Sequence, residues 1–194
     1  MKSKPPSYET QELRDFGEVL QGRRTIDLYL QTPVPKALVR EAVEVATWAP
    51  NHHVSEPWRF RLFSKQTVRR CLDLCRDIVI EKKGDPKAGE HKAARWAEKP
   101  GWMLVTCQKS DDAVRQQEDY AACAAAVQNF MLYLWKAGVG SKWTTGDITR
   151  DARFYDIVDM DEEQEFVVGL LWFGYPKLTP TQSRKSVDDV FGTV

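Results

Sequence analysis

The order of the apolar patterns along this chain constrains its fold more than any other feature of the sequence. Three apolar runs predict β-strands, and long segments with helical periodicity separate them. The last run, Glu165–Gly174, is apolar at nearly every position, which is typical of a strand covered on both faces. Strands and helices do not alternate strictly, and the strands are too few for a doubly wound sheet. The sequence therefore predicts an α+β fold.

The two earlier strands show different patterns. Trp58, Phe60 and Leu62 alternate with other residues, which predicts a strand with one apolar face. Residues 103–107 form a short apolar run between a glycine and a polar segment, which predicts a buried strand.

The first two helices are predicted from apolar spacing and from the residues that end helices. Apolar residues between 13 and 20 recur at helical spacing, and Gly22 is placed to end that helix. Pro35 suits the first turn of a second helix, which Pro50 stops. Its apolar face is predicted to carry Leu38, Ala42, Val45 and Ala49.

Two further helices are predicted on either side of a charged segment. Ser64 is a suitable N-cap for the third helix. The buried stripe of that helix is predicted to contain Val68, Cys71, Leu72, Cys75, Ile78 and Val79. Residues 81–90 are charged and contain glycine, which predicts a mobile loop that could serve as a lid. Residues 118–137 are rich in alanine, which predicts a buried helix that residues 138–140 terminate.

Length and charge exclude several classes of protein. A chain of 194 residues suits one domain, here predicted over residues 11–194 after a disordered head at 1–10. The 28 basic and 28 acidic residues balance, so nucleic acid is not an expected partner. Neither a secretory signal nor an apolar run long enough for a bilayer is found. The sequence therefore predicts a cytoplasmic protein that does not bind membranes.

The four cysteines do not predict a metal site or a disulfide. Their spacing lacks the C-x-x-C motif of zinc sites and redox pairs. The preferred interpretation for Cys71 and Cys75, one helical turn apart, is a pair of small buried hydrophobic residues.

Four polar clusters stand between the apolar segments and are the candidate site. Arginine side chains form forked hydrogen bonds that suit a phosphate, especially beside a hydroxyl. Each cluster also has an ordinary explanation, namely a solvated surface for the basic clusters and a local turn for the others. The clusters are Arg23-Arg24-Thr25, the loop from Asn51 to Pro57, Trp143-Thr144-Thr145-Gly146, and Arg184-Lys185.

Several common enzyme motifs are missing. The chain has no G-x-G-x-x-G after a strand, no Walker A lysine loop and no G-x-S-x-G elbow. A zinc site in the loop is disfavoured because the third histidine, His91, lies in a distant segment that is predicted to be mobile.

Taken in order, the clusters and their flanking residues resemble the nitroreductase family of flavin mononucleotide (FMN) enzymes. The matching sequence segments are RRT after the first helix, APNHHVSEPWRF at 49–60, an alanine-rich helix ending in GVG, WTTG at 143–146, GYP at 174–176 and RKSVDDV at 184–190. The loop is most similar to that of small bacterial members of the YdjA-like type. The resemblance covers nearly the whole chain and implies a mostly antiparallel sheet flanked by helices.

The resemblance also implies a homodimer with FMN at the subunit interface. By position, Arg23 and Thr25 would bind the phosphate and ribityl end, and Arg24 would lie beside the flavin ring. The remaining positions that would contact FMN are Arg184, Lys185, His52, Glu56, Trp143, Thr144 and Thr145. The polar tail after Pro176 would wrap around the partner subunit.

The implied activity is transfer of a hydride from NADH or NADPH to FMN and then to a small acceptor, with ping-pong kinetics. Nitroaromatic compounds and quinones are the implied acceptors. Because flavin chemistry resides in the cofactor, no catalytic acid or base is expected, and Arg24 is the candidate electrostatic tuner. Two alternatives stay open: a flavin carrier or sensor without turnover, and an interaction protein without flavin.

Overall fold

Four antiparallel strands form the sheet on which the helices pack. The structure is a computed structural model that describes residues 10–193. The strands are β1 (Trp58–Leu62), β2 (Gly101–Gln108), β3 (Gly140–Thr144) and β4 (Glu165–Gly174), in the order β1-β2-β4-β3. Each neighbouring pair is antiparallel. The predicted α+β class and antiparallel sheet are confirmed.

Six α-helices are seen in residues 10–193. They are α1 (Gln11–Gly22), α2 (Lys36–Ala46), α3 (Lys65–Lys83), α4 (Pro86–Ala97), α5 (Ala113–Lys136) and α6 (Ala152–Val158). The predicted head at residues 1–10 lies almost wholly outside the described residues. In this described part of the chain, no helix combines the length and apolarity needed to cross a bilayer.

Each face of the sheet has its own apolar core. Met103 of β2 and Leu171 of β4 point to the face covered by α2 and α5. Their neighbours Leu104 and Leu170 point to the opposite face, which α3, α4 and α6 cover. Successive strand residues face opposite sides of a sheet, so an unbroken apolar run supplies both cores. The sequence interpretation of β4 is therefore confirmed.

The predicted lid at residues 81–90 is wrong. Here α3 continues to Lys83, and Gly84 ends it with a left-handed φ of 65°. The Asp85 side chain then accepts from the Lys87 N–H at 2.9 Å and caps α4, with Pro86 in the first turn. A glycine, a capping aspartate and a proline are the usual boundary between two helices. The charges mark exposed helix surfaces and do not indicate a mobile loop.

Smaller corrections concern the apolar faces of α2 and β1. Helix α2 ends at Ala46, and its buried residues are Val39, Ala42 and Ala46, whereas Val45 is 37% exposed. The spacing of apolar residues in α2 permits two overlapping stripes, and the sequence does not distinguish them. At the end of β1, Leu62 is 44% exposed, because the strand lies at the edge of the sheet.

Helix α5 starts before the predicted position and is buried on one side. Asp112 caps it by accepting from the N–H groups of Val114 at 2.8 Å and Arg115 at 3.2 Å. The alanine-rich segment buries Ala122 and Ala126, but Ala121 is exposed. A helix with small side chains on all of its faces is therefore not necessarily buried on all of them. The predicted end is confirmed, with a left-handed Gly138 at φ 78°.

Candidate functional site

The basic triplet lies at the β3 edge of the sheet. Ile26 is fully buried, and its backbone N–H donates to the Ser141 carbonyl at 3.0 Å. Thr25 also forms a bridge with Ser141, parallel to β3. These contacts fix the segment after α1 against the sheet, so that Arg23 and Arg24 lie at a rigid edge.

Three guanidinium groups gather at this edge. Burial lowers the pKa of Arg23, and the nearby charges of Arg184 and Arg24 lower it further. The structure thus brings together two clusters that are 160 residues apart in the sequence. None of the three forms an ion pair with a carboxylate of residues 10–193. Unpaired guanidinium groups favour an anion with several oxygens, such as a phosphate.

Arg24 has a second set of contacts that sequence reasoning did not anticipate. Its Nη1 donates to the backbone oxygens of Gln21 at 2.5 Å and Arg23 at 3.0 Å. A cation at the C-terminus of a helix is favourable because it offsets the carbonyl dipoles there. Arg24 therefore has a structural contact to α1, and its role as electrostatic tuner stays a prediction.

A cavity of about 240 Å³ opens beside this edge, on the sheet face that carries Trp172. Thr144 lines the cavity, as does Gly146 from the same cluster. The other lining residues are Asp27, Cys75, Ile78, Val79, Lys92, Arg95, Trp96, Lys99, Lys142, Asp147, Ile148 and Trp172.

The rest of the Trp143 to Gly146 cluster is placed differently. Trp143 and Thr144 belong to β3, whereas a local turn was the ordinary explanation of this cluster. Because β-strand side chains alternate, Trp143 faces the core opposite the cavity, where its Nε1 donates to the Val168 carbonyl at 3.1 Å. Thr145 is exposed and does not line the cavity. Contacts of these residues with FMN stay predictions.

Asp27 is the centre of an ion network in the cavity wall. Its carboxylate accepts from Lys142 Nζ at 2.9 Å, from Lys99 Nζ at 3.2 Å and from Arg95 Nη2 at 3.1 Å. Burial raises the pKa of Asp27, but hydrogen bonds and charges of Lys142 and Lys99 outweigh burial and leave it at about 2. The carboxylate is therefore ionised at neutral pH.

Two tryptophans complete the wall. The ammonium groups of Lys99 and Lys142 lie 5.6 and 5.5 Å from the centre of the Trp172 ring. Trp96 packs edge-on against Trp172, with ring centres 4.9 Å apart. The buried Trp172 Nε1 has no hydrogen-bond partner among the described residues. A buried N–H without a partner is costly to the fold.

The polar loop before β1 has a dense set of hydrogen bonds. His52 Nδ1 lies 2.9 Å from Glu118 Oε2, and Ser55 Oγ donates to the buried Asp119 at 2.5 Å. The Glu56 N–H donates to Asn51 Oδ1 at 2.7 Å. The Glu56 side chain itself is exposed.

The loop backbone is strained. His53, Val54 and Glu56 have φ values of 59°, 52° and 44°. Left-handed φ is costly for residues other than glycine and most of all for a β-branched residue such as Val54. Strain of this kind is common at functional sites, where the surrounding contacts hold it in place.

The loop and the basic triplet lie at opposite corners of the sheet. β1 and β3 are the two edge strands, about 14 Å apart across three strand spacings. The loop adjoins Trp58, in the row of Phe166, and the triplet adjoins Ser141, in the row of Phe173. These rows are about 23 Å apart along the strands. One chain therefore does not bring the two groups of predicted site residues together.

Sequence reasoning missed the ion network but had a partial signal for it. Asp27 follows the basic triplet by two residues, and Lys142 directly precedes Trp143. Lys99 does not lie next to any of the four polar clusters in the sequence. Lys185, which was predicted, is exposed in the tail.

Comparison with known proteins supports the fold and its family. A family model described as Nitroreductase family matches residues 20–175. The chain is similar to YfhC of Bacillus subtilis (strain 168), a candidate NAD(P)H nitroreductase, with 30% identity over 173 residues that cover 87% of this chain and 88% of YfhC.

Solved structures share the architecture. A nitroreductase-like family protein from Bacillus cereus matches with a TM-score of 0.82 and 24% identity, over 98% of this chain and 99% of that one. A candidate nitroreductase from Desulfovibrio desulfuricans, in complex with FMN, matches with a TM-score of 0.74 and 20% identity, over 94% and 96%. The predicted nitroreductase-like fold is confirmed, while the YdjA-like subgroup stays a prediction.

Proposed function

Because this chain belongs to the nitroreductase family, we propose that it is an FMN-dependent NAD(P)H oxidoreductase. The proposed acceptors are nitroaromatic compounds, quinones or related small molecules, reduced with ping-pong kinetics. When bound, FMN supplies the redox chemistry by accepting a hydride from the nicotinamide and passing it on. The protein has to bind the cofactor, exclude water and leave room for the two substrates.

The observation that carries this proposal is the group of guanidinium side chains at the β3 edge. Arg23 is partly buried and is held close to Arg184 and Arg24 without a carboxylate from the described residues. Like charges repel, so an anion that binds between them relieves this repulsion and is itself stabilised. The terminal phosphate of FMN is an anion of suitable charge and shape.

The adjoining cavity suits the ring end of the same ligand. Trp96 and Trp172 contribute aromatic side chains to the cavity wall. Thr144 adds a hydroxyl at the wall. A flat heterocycle with ring carbonyls fits this set of groups. We propose that Thr25, which follows Arg24 and lies two residues before Asp27 of the cavity wall, binds between the two ends.

We further propose a homodimer in which the loop of one chain completes the site of its partner. Within one chain, Arg23 is separated from His52 and Glu56 by about 14 Å across the sheet and about 23 Å along the strands. One flavin is too short to contact both groups. Two copies related by a twofold axis would place each loop beside the other chain's β3 edge, and would form two equal sites.

Exposed apolar residues support a homodimer independently. Helix α1 has no buried residue, although Leu13, Phe16 and Leu20 are 51%, 59% and 43% exposed. Trp48, just before the loop, is 84% exposed, and Phe191 of the tail is 75% exposed. Apolar surface of this extent usually marks an interface. We propose that the tail from residue 177 wraps around the partner.

The proposed activity is tested by the visible spectrum of the purified protein under anaerobic conditions. We expect a bound-flavin spectrum that bleaches when NADH or NADPH is added and returns when a nitroaromatic compound or quinone follows. Flavin that stays oxidised would contradict a reductase and favour a carrier or sensor. A colourless protein that does not take up added FMN would overturn the proposal.

A further inference from the structure

The cavity wall contains more cations than its carboxylates neutralise. Lys92, Arg95, Lys99 and Lys142 line it, against the carboxylates Asp27 and Asp147. Asp147 already pairs with Lys82, which does not line the cavity, at 2.9 Å. Asp27 is therefore left to balance the cations nearest to Trp172.

Lys99 depends on this balance most strongly. Its side chain is only 3% exposed, and within residues 10–193 its one carboxylate partner is Asp27. Lys142 also pairs with Asp27 alone in this part of the chain. A buried ammonium group is costly unless a charge or several hydrogen bonds compensate it. Asp27 thus determines both where these ammonium groups lie and how much of their charge is cancelled.

The charge in this wall bears on the reduction of a bound flavin. Reduction adds negative charge to the cofactor, and fixed cations nearby stabilise the reduced form. A carboxylate among those cations has the opposite effect, because it weakens their field. Charges inside a cavity act more strongly than charges in water, since the local dielectric constant is lower.

We propose that Asp27 is a positioning residue that anchors Lys99 and Lys142 in the cavity wall and lowers the reduction potential of bound FMN by cancelling part of their charge. The inference rests on the proposed function, since it requires FMN to bind beside this wall. It assigns the tuning of the cofactor to a network of Asp27, Lys99 and Lys142, in place of Arg24, which contacts the end of α1.

The test compares the two-electron reduction potential of FMN bound to wild type and to Asp27→Asn, measured by equilibration with a reference dye. Asn keeps the size of the side chain and removes the charge. We expect the equilibrium to shift toward reduced flavin by about tenfold, equivalent to about 30 mV for a two-electron couple. The matched control is Asp73→Asn, which removes a carboxylate paired with Arg76 on α3, outside the cavity wall. Its potential should equal that of wild type.

Two further variants separate tuning from a purely structural role. Lys142→Met removes a cation and keeps most of the length of the side chain, so the potential should fall. Asp27→Glu keeps the charge and should restore most of the wild-type potential. If Asp27→Asn does not fold, the reduction potential of FMN bound to Lys142→Met tests the proposal alone.

The possible failures are distinguishable. Wild-type protein that binds no FMN would overturn both proposals. Wild type with FMN, but with Asp27→Asn or Lys142→Met at an unchanged potential, would overturn only the tuning role of Asp27. In that case the network would serve stability alone.

Discussion

The two edges of the sheet differ in how their charges are paired. At the β3 edge, Arg23 and Arg184 lie close together without a carboxylate partner in the described chain, and several cations surround Asp27. At the β1 edge, Arg61 is paired with a carboxylate. Arg61 forms two hydrogen bonds to Glu165, at 2.8 and 2.5 Å, in a typical paired geometry.

This difference indicates two roles: unpaired charges favour ligand binding, and paired charges stabilise the fold. Matched pairs satisfy each other and need no further group. An excess of one sign is unfavourable in the free protein and becomes favourable when an opposite charge binds. The β3 edge therefore has the arrangement of a binding site. We propose that the β1 edge contributes its strained loop to the partner's site.

Reversing a charge at the β3 edge should have the largest effect. We expect Arg23→Glu to weaken FMN binding by on the order of 100-fold or more, because it removes a charged hydrogen-bond donor and adds repulsion with the phosphate. Flavin content after purification and titration with FMN measure the loss. Arg70→Glu, on the exposed surface of α3, is the matched control and should retain flavin. Equal flavin content in both variants would contradict the proposal that Arg23 binds the phosphate of FMN.

Breaking the matched pair at the β1 edge should lower stability and leave cofactor binding intact. The hydrogen bonds of Arg61 and Thr106 to Glu165 outweigh the effect of its burial and keep its pKa below the ordinary value. We expect Glu165→Gln to reduce the free energy of unfolding by about 2 kcal/mol, measured by urea denaturation. Glu163→Gln, which is exposed, should change little. A large loss of FMN affinity in a folded Glu165→Gln protein would erase the distinction between the edges.

Acid should weaken the contribution of Asp27 in a defined pH range. Its folded pKa is about 2, below the ordinary 3.8, so its ion pairs contribute full stability above the ordinary value and lose it as the pH falls toward 2. The stability difference between wild type and Asp27→Asn should shrink between about pH 4 and pH 2. Urea midpoints across that range measure it. A difference that stays constant would mean that folding does not lower the pKa of Asp27.

The smallest effect is expected in the strained loop. Val54 has a left-handed φ of 52° and is 76% exposed. Its backbone is therefore strained, and burial of its side chain does not compensate for the strain. Asparagine tolerates this conformation better, and Val54→Asn should stabilise the protein by about 0.5 kcal/mol. Val114→Asn, at an exposed position in α5, should not stabilise it. A loss of stability at position 54 would mean that the valine makes contacts that offset the strain.

Sequence patterns predicted those elements whose signal is local and strong. β4 was predictable because its residues are apolar on both faces, and α3 because Ser64 caps a clear apolar stripe. β3 was missed because its five residues, GSKWT, mix small, charged and aromatic side chains without a period. The boundary at Gly84 and Asp85 was present in the sequence, but the surrounding charges were interpreted as a loop.

The candidate site was only half predictable for a similar reason. The basic triplet and Arg184 were identified as polar clusters, and the family resemblance implied their roles. The ion network joins Asp27 to Lys99 and Lys142 over 72 and 115 residues. Contacts of that range leave no periodic signal in a single sequence. They depend on the register of β3 against residues 25 and 26, which the structure supplies.

The most direct test of a site shared between two chains uses mixed dimers. One chain carries Arg23→Glu, and the other carries His52→Glu with Glu56→Lys in the loop. Each variant alone should lose FMN, because both of its sites are damaged. In the mixed dimer, one site collects both lesions and the other is intact, so we expect one FMN per dimer and half of the wild-type activity. A mixed dimer without FMN would contradict the account, because it would mean that each site is formed within a single chain.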